Sequence, residues 1–410
     1  MLSPPMSVLV CVLPARGHVS PTLAVVAELV GAGHAVHVVT GQRYRAPFRA
    51  VGATVTVLAH DADFDDGDLD GSFPGRRGLT GLRLARHDLT EVFVRPMLSR
   101  WETLRKALDE WTPDLVLLDP FFLAGIPLLL TRSGRRPRVM VLGFLPISMA
   151  PITPPGPGHW LRERVTRFGV HQALGPVQRE AAQLTQDLTG KRLDCWFTDW
   201  IGLSDGILQM TCPSFEYPRP DPPTPIHFIG LQTTSDRQDH PLPSWWADLD
   251  TDVPIIHLTQ GTVANADHST VIKPALDALA DRDCLVVVST GGQDLTGPLP
   301  VNVRAAAYLP YDDLLPRCSL MITNGGYGGV NLALRHGVPL LVVGATEDKR
   351  AVAQRVTWSK AGIGIGRATT SPSRIARAVD QLLADPQYKN RALELATEMA
   401  ECPTLTQTLD

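Results

Sequence analysis

Val8-Leu9-Val10-Cys11-Val12-Leu13, then Pro14-Ala15-Arg16-Gly17-His18-Val19, then Ser20-Pro21, open the chain and decide its fold. Six apolar residues in a row are what a strand buried on both faces requires. The next six read as a short loop. Ser20 at the cap and Pro21 in the first turn then predict a helix. Its apolar residues Leu23, Val26, Leu29 and Val30 recur at helical spacing. Gly31-Ala32-Gly33-His34 stops it, and Val36-His37-Val38-Val39-Thr40 is the next strand. The unit is βαβ, which implies a parallel sheet with right-handed crossovers.

The alternation continues outward. Thr54 to Leu58, Asp114 to Leu118 and Arg138 to Gly143 read as strands, with a long helical stretch from about Leu82 to Trp111 between the first two. Leu145 to His159 holds seven Pro or Gly residues and reads as a loop, and Ile207 to Met210 as the last strand of this half. Pro218 to Pro243 is rich in proline and polar residues, apart from the short apolar piece His227 to Leu231, and reads as an exposed interdomain linker. A second alternation follows: strands at Val253 to Leu258, Cys284 to Ser289, Leu320 to Thr323 and Leu340 to Val343. Helices are expected at His268 to Ala280, between the last two strands, and from Ser371 to about Glu401. Two tandem doubly wound α/β domains result.

Composition agrees. A chain of 410 residues exceeds one ordinary core, so two domains of roughly 200 residues are expected. Hydrophobic residues at 44% and charged residues at 20% exclude disordered and fibrous classes. Lys and Arg number 38 against 42 Asp and Glu, for a formal net charge of -4, which argues against a nucleic-acid coat or a polybasic membrane anchor. The six cysteines form no Cys-x-x-Cys pair, so a reducing cytoplasm fits better than a disulfide or zinc framework. No secretory signal and no run of 18 apolar residues is present, which excludes a membrane-spanning helix and predicts a cytoplasmic protein. The Asp-rich stretch Asp61 to Asp70 fails the EF-hand register, since Asp66 and Ser72 stand where Gly and Glu are needed, and reads as a surface loop.

Ligands of open α/β sheets bind at the carboxyl ends of strands, where helix amino termini point. Two segments occupy such places. Gly17-His18 follows the first strand, and an imidazole there suits general-base work near neutral pH. The other is Thr323-Asn324-Gly325-Gly326-Tyr327-Gly328-Gly329, ahead of a helix reaching about His336. Four glycines in five positions let the backbone approach a ligand and aim N–H groups at it, and the helix dipole favours phosphate. The spacing matches neither the dehydrogenase Gly-x-Gly-x-x-Gly nor the P-loop.

Together with the following strand and its exit Gly344-Ala345-Thr346-Glu347-Asp348-Lys349, the sequence resembles the family 1, GT-B fold glycosyltransferases, over nearly its whole length. The resemblance rests on Pro14 to Pro21, Pro241-Leu242-Pro243-Ser244-Trp245, Gln260-Gly261-Thr262, and Tyr308-Leu309-Pro310-Tyr311 through Asn324-Gly325-Gly326 to Glu347-Asp348. It implies two Rossmann-like domains facing across a cleft: an acceptor domain at residues 1–232, the end of a linker at 233–243, a donor domain at 244–391, and a terminal helix at 392–410 packing back on the first domain. It implies His18 as the base that deprotonates an acceptor hydroxyl, and Asp119 as the carboxylate that orients it; a helix cap is the other reading of Asp119. It implies an inverting transfer from a nucleoside-diphosphate sugar, UDP-glucose or a dTDP-sugar. The donor would be held by Gly17, Gly261, Thr262, Tyr308, Asn324, Gly325, Gly326, Gly328, Gly329, Glu347, Asp348 and Lys349. Helix dipole and backbone N–H groups would offset the diphosphate charge without a metal or prosthetic group. Asp248-Leu-Asp250, beside the linker, is discounted as a metal motif.

The chain departs from the family pattern at four places. Asn324 replaces the diphosphate-binding His, Gly329 the Ser or Thr, and Lys349 the Gln after the sugar-binding Asp; Leu332 stands where many members carry a ribose-binding Glu. Phe121, Phe122, Phe144, Met149, Trp160 and Phe168 form an apolar set for a flat or lipophilic acceptor such as a phenol, polyketide or lipid. The expected partners are the donor and this acceptor, with no nucleic acid, in a monomer or weak homodimer. Two other readings share the fold, a nucleotide-sugar epimerase and a catalytically silent binding or activator protein. Intact His18 and Asp119 speak for transfer.

Overall fold

The computed structural model describes residues 5–131, 136–233, 242–261, 268–293, 295, 297–344, 348–366 and 370–409. The chain divides into two compact units. One comprises Met1–Met210, Pro218–Thr234 and Pro403–Asp410, the other Thr211–Tyr217 and Ser235–Cys402.

In the first unit β1 (Ser7–Cys11), β2 (Ala35–Thr40), β3 (Thr54–Val57), β4 (Leu115–Leu118), β5 (Arg138–Gly143), β6 (Gly206–Gln209) and β7 (Ile226–Phe228) form one parallel sheet in the order β3-β2-β1-β4-β5-β6-β7. The opening run explains itself here. Val8, Val10 and Val12 face one core cluster, while Leu9, Cys11 and Leu13 face the other, all with no exposed surface. A strand covered on both faces has no polar side to declare, which is why it reads as unbroken apolar sequence. In the second unit β8 (Ile255–Thr259), β9 (Leu285–Ser289), β10 (Val303–Ala306), β11 (Leu320–Thr323), β12 (Leu340–Val343) and β13 (Gly362–Ile365) are parallel in the order β10-β9-β8-β11-β12-β13. The order reverses beside β1 and β8, the switch points where such sheets bind ligands.

Several elements differ from the sequence expectation. The first helix, α1, runs Arg16–Gly31, four residues earlier than Ser20. Its extended N-cap Ala15 accepts from the His18 and Val19 N–H groups, and the Asp66 carboxylate accepts from the Arg16 N–H at 2.7 Å. The cap thus comes from a residue fifty positions away, and Pro21 lies inside the helix. The stretch from Leu82 splits into Gly81–Asp88, a wide π-type turn at Leu89–Val94, and α2 at Met97–Trp111. Pro96, which has no N–H to donate, sits at the break. A helix of 31 residues, α3 (His159–Thr189), follows the Pro-rich loop.

The linker also differs. Ile226–Phe228 is an edge strand of the first sheet, pairing β6 from Ile207↔Ile226 to Gln209↔Phe228, and residues 234–241 lie outside the described ones. At the other end, α6 (Pro386–Glu401) stays with the second unit, where Ala392, Leu395 and Met399 are buried. Only α7 (Leu405–Leu409) joins the first: Leu405 and Leu409 enter its core, and the Thr406 N–H donates to Glu28 Oε1 at 3.3 Å. Pro403 explains the break, because the ring cannot continue the preceding helix. Among the described residues no helix is long and apolar enough to cross a membrane.

Candidate active site

His18 stands in the first turn of α1, directly beyond β1, and is a helical residue rather than a loop one. Asp119 stands one residue beyond β4, the strand paired to β1. Register therefore brings together two residues 101 positions apart. His18 Nδ1 and Asp119 Oδ2 are 2.7 Å apart, with the imidazole 16% exposed and the carboxylate fully buried. Asp119 Oδ2 also accepts the Leu13 N–H at 3.1 Å, and Oδ1 accepts the Phe121 N–H at 2.7 Å. Two backbone donors and an imidazole surround the buried charge, which is what such burial demands. Asp119 thus caps the turn at Phe121 and holds the imidazole at once. With Nδ1–H directed at a carboxylate, the basic lone pair lies on Nε2.

The surroundings of the imidazole are aromatic. The Phe144 ring lies edge-on at 5.1 Å and the Phe121 ring at 6.3 Å, with Phe93 a further 4.7 Å from Phe121. A Cβ at Gly17 would meet nothing within 4 Å, so open space lies over this first helical turn. The Asp-rich stretch has a structural task beside it: Asp66 caps α1 and accepts from the Tyr44 hydroxyl at 2.8 Å, while Asp63 accepts the Gln42 N–H at 2.9 Å.

The second unit builds the glycine loop. Gly325 has φ +93, and a Cβ there would lie 2.6 Å from Val342 Cγ1 and 3.4 Å from the Lys349 carbonyl, so only glycine fits. Gly326, Gly328 and Gly329 face the other way: a Cβ at the first two would meet nothing within 4 Å, and at the third only Met321 Cε at 4.0 Å. The loop is packed shut beneath and open above. From Gly326 the chain enters α4 (Tyr327–Arg335), presenting a helix amino terminus to that opening. Asn324, 7% exposed, is turned inward: its Nδ2 donates to the Gln260 carbonyl at 2.5 Å and its Oδ1 accepts the Gly326 N–H at 3.4 Å. Where the family carries a His, this chain uses an amide to hold the loop to the end of β8. Gly261, at φ +78, completes that end.

Asp348 occupies the N-cap position of α5 (Lys349–Trp358), and Lys349 is 7% exposed. Tyr308 is exposed, with its hydroxyl donating to the Gly291 carbonyl at 3.3 Å. Thr262 and Glu347 lie outside the described residues. The six aromatic and apolar residues expected at an acceptor site are scattered. Phe144 and half-buried Phe121 flank His18, Phe122 and Met149 are buried in the core, and Trp160 and Phe168 stand 65% and 67% exposed on α3. Core packing accounts for Phe122, whose side chain has no exposed surface. Among the described residues no group of three or more His, Cys, Asp or Glu is placed to hold a metal ion.

A cavity of about 60 Å³ between α3 and the Pro-rich loop is lined by Ser148, Arg167, His171, Trp196 and Asp199. Burial raises the Asp199 carboxyl to about 6, against the pull of Arg167 at 3.7 Å. A carboxyl raised above its unfolded value stabilises the fold below the unfolded pKa of about 4, and that contribution is lost as the pH rises through 6. Asp199→Asn is therefore expected to raise the urea unfolding free energy at pH 8 by about 1–2 kcal/mol, allowing for the lost Arg167 contact. The gain should vanish toward pH 4. A variant less stable at pH 8 would show that the Arg167 pair outweighs burial.

Two doubly wound domains, one with a partly exposed imidazole on a buried carboxylate beside its central strand and the other with an open glycine turn at a helix amino terminus, make up a GT-B fold. The C-terminal domain of the erythromycin biosynthesis protein CIII-like family matches residues 273–409. 4'-Demethylrebeccamycin synthase of Lentzea aerocolonigenes is 34% identical over 413 residues, covering 98% of this chain and 98% of its own. UDP-glycosyltransferase 2 of Phaeomoniella chlamydospora is 30% identical over 428 residues, covering 98% and 94%. The solved structure of the kitacinnamycin glycotransferase shares the fold, with a TM-score of 0.73 at 21% identity over 99% of this chain and 98% of that one. The chain belongs to the family 1 GT-B glycosyltransferases and is a glycosyltransferase.

Proposed function

We propose that the enzyme is an inverting, metal-independent glycosyltransferase. It would move a sugar from a UDP- or dTDP-linked donor to a hydroxyl of a lipophilic natural product, a phenol, polyketide or lipid. The observation that carries the reading is the 2.7 Å contact between His18 Nδ1 and the buried Asp119 carboxylate, with aromatic rings on the imidazole. In this scheme the acceptor O–H gives its proton to His18 Nε2 as the oxygen attacks the anomeric carbon from the face opposite the diphosphate. Asp119 stabilises the imidazolium that forms. The C–O bond to the diphosphate breaks, and its charge is met by the N–H groups at Gly328 and Gly329 and the α4 amino terminus. Asp348 accepts hydrogen bonds from sugar hydroxyls. The natural-product and UDP-dependent names of the two relatives support the substrate classes.

The test is a panel of UDP-, dTDP- and GDP-sugars screened by thermal shift, followed by turnover with phenolic and polyketide acceptors in the presence of EDTA. A specific donor should raise the melting temperature by mass action. An α-linked donor should give the β-glycoside, read from the anomeric proton coupling. Retained configuration, or a rate abolished by EDTA, would overturn the scheme; no shift with any donor would favour a silent binding protein.

A further inference from the structure

Between β6 and residue 218 the chain contributes seven residues, Thr211–Tyr217, to the second unit. Nothing in their sequence has a period. Pro213 starts a single 3-10 turn, and Glu216 follows in extended backbone. Yet Glu216 is 1% exposed, and a carboxylate so placed needs every lone pair engaged. Its Oε1 accepts from Arg355 Nε at 3.0 Å and from the Tyr327 hydroxyl at 3.1 Å; its Oε2 accepts from Arg355 Nη2 at 2.9 Å. The guanidinium, also 1% exposed, lies 4.5 Å from the Tyr217 ring, which meets Trp358 edge-on at 5.2 Å. Below Tyr327, fully buried Asn331 donates to the Tyr327 carbonyl at 3.0 Å and accepts from the Thr211 hydroxyl at 2.5 Å.

The two partners of Glu216 belong to two different helices. Tyr327 is the first residue of α4, in the middle of the glycine run; Arg355 lies nearly two turns into α5, the helix that begins at Asp348-Lys349. One carboxylate therefore joins the helices that begin at the two loops assigned to the donor. The loops themselves touch without slack: a Cβ at Gly344 would lie 2.1 Å from the Asn324 carbonyl, and one at Gly325 lies 3.4 Å from that of Lys349. A shift of either helix is thus passed directly to the other loop.

We propose that Glu216 is a positioning residue of the donor site, which through Tyr327 and Arg355 fixes the glycine loop and the Asp348-Lys349 loop at the separation that a nucleoside-diphosphate sugar spans. It is too buried to touch the donor. The inference rests on the assignment of those two loops to the donor. Preorganised loops bind with less ordering cost, so releasing them weakens donor binding selectively.

The experiment titrates full-length protein with UDP and with dTDP by calorimetry and measures initial rates while varying donor and acceptor separately. Glu216→Gln keeps the volume but removes the charge, and should raise the nucleotide Kd and the donor KM by about tenfold or more. The acceptor KM should stay within about twofold, because that site is built from other residues. Tyr327→Phe deletes one oxygen and should raise the donor KM by about threefold. Lowered melting temperatures with unchanged nucleotide Kd in both variants would reduce Glu216 to a structural ion pair and overturn the proposal. If Glu216→Gln does not fold, an unchanged Kd in Tyr327→Phe does the same. Wild-type protein that binds neither nucleotide overturns the donor assignment itself, and the inference with it.

Discussion

His18→Ala should lower kcat/KM by about 10³-fold or more at neutral pH while leaving the nucleotide Kd within about twofold. Alanine removes the proposed base but not the fold, because the imidazole is at the edge of the core, 16% exposed and packed edge-on to Phe144. The acceptor hydroxyl must then lose its proton to water as it attacks. A phenolic acceptor ionises near pH 10 and should regain part of the rate as the pH is raised; an aliphatic alcohol should not. Initial rates with one acceptor of each kind, beside calorimetry with UDP and dTDP, make the measurement. Full activity in the variant would remove His18 from the mechanism. Loss of activity together with nucleotide binding would point to a folding defect instead.

Asp119→Asn is the second large effect, and the geometry says why an isosteric change should matter. One oxygen of Asp119 accepts from both Leu13 N–H and His18 Nδ1, and the other accepts from Phe121 N–H. An amide has one oxygen and one NH₂. With its oxygen toward Phe121, the NH₂ faces the Leu13 N–H and drives the imidazole to carry its proton on Nε2, the nitrogen that acts as base in the proposed scheme. Turned over, the NH₂ meets the Phe121 N–H. Either orientation sets two donors against each other in a site with no exposed surface. A fall in kcat of about 10³ is expected, with the acceptor and donor KM values changed far less. Histidine NMR should show the tautomer moved from Nδ1–H to Nε2–H. A variant that keeps more than about a tenth of the wild-type kcat would leave Asp119 as a cap of the Phe121 turn.

The fold was legible where burial is two-sided and local. Val8 to Leu13 carries its own evidence, since both faces of β1 are covered by the same chain's helices. α3 carries almost none: of 31 residues only Val177, Ala181 and Thr185 are buried, so no apolar stripe marks it. The start of α1 was misplaced because its cap, Asp66, arrives from another loop, while Ser20 only looks like one. β7 was hidden by its shortness and by the prolines just ahead of it, Pro222, Pro223 and Pro225, which hydrogen bonding to the neighbouring strand β6 overrides.

The site divides along the same line. The residue types and their stations at strand ends were readable: a His after the first strand, an Asp after the fourth, a glycine run before a helix. That much follows from backbone sterics and from where helix dipoles point, both of which are local properties. The 2.7 Å contact of His18 with Asp119, the inward turn of Asn324 toward Gln260, and the union of Glu216 with Tyr327 and Arg355 were not readable. Each joins residues 64 to 139 positions apart, and sheet register or helix packing alone sets such distances. Sequence determined which chemistry the chain carries and at which strand ends. Only the tertiary structure decided which groups meet, because a buried charge selects its partners by what packing leaves within reach.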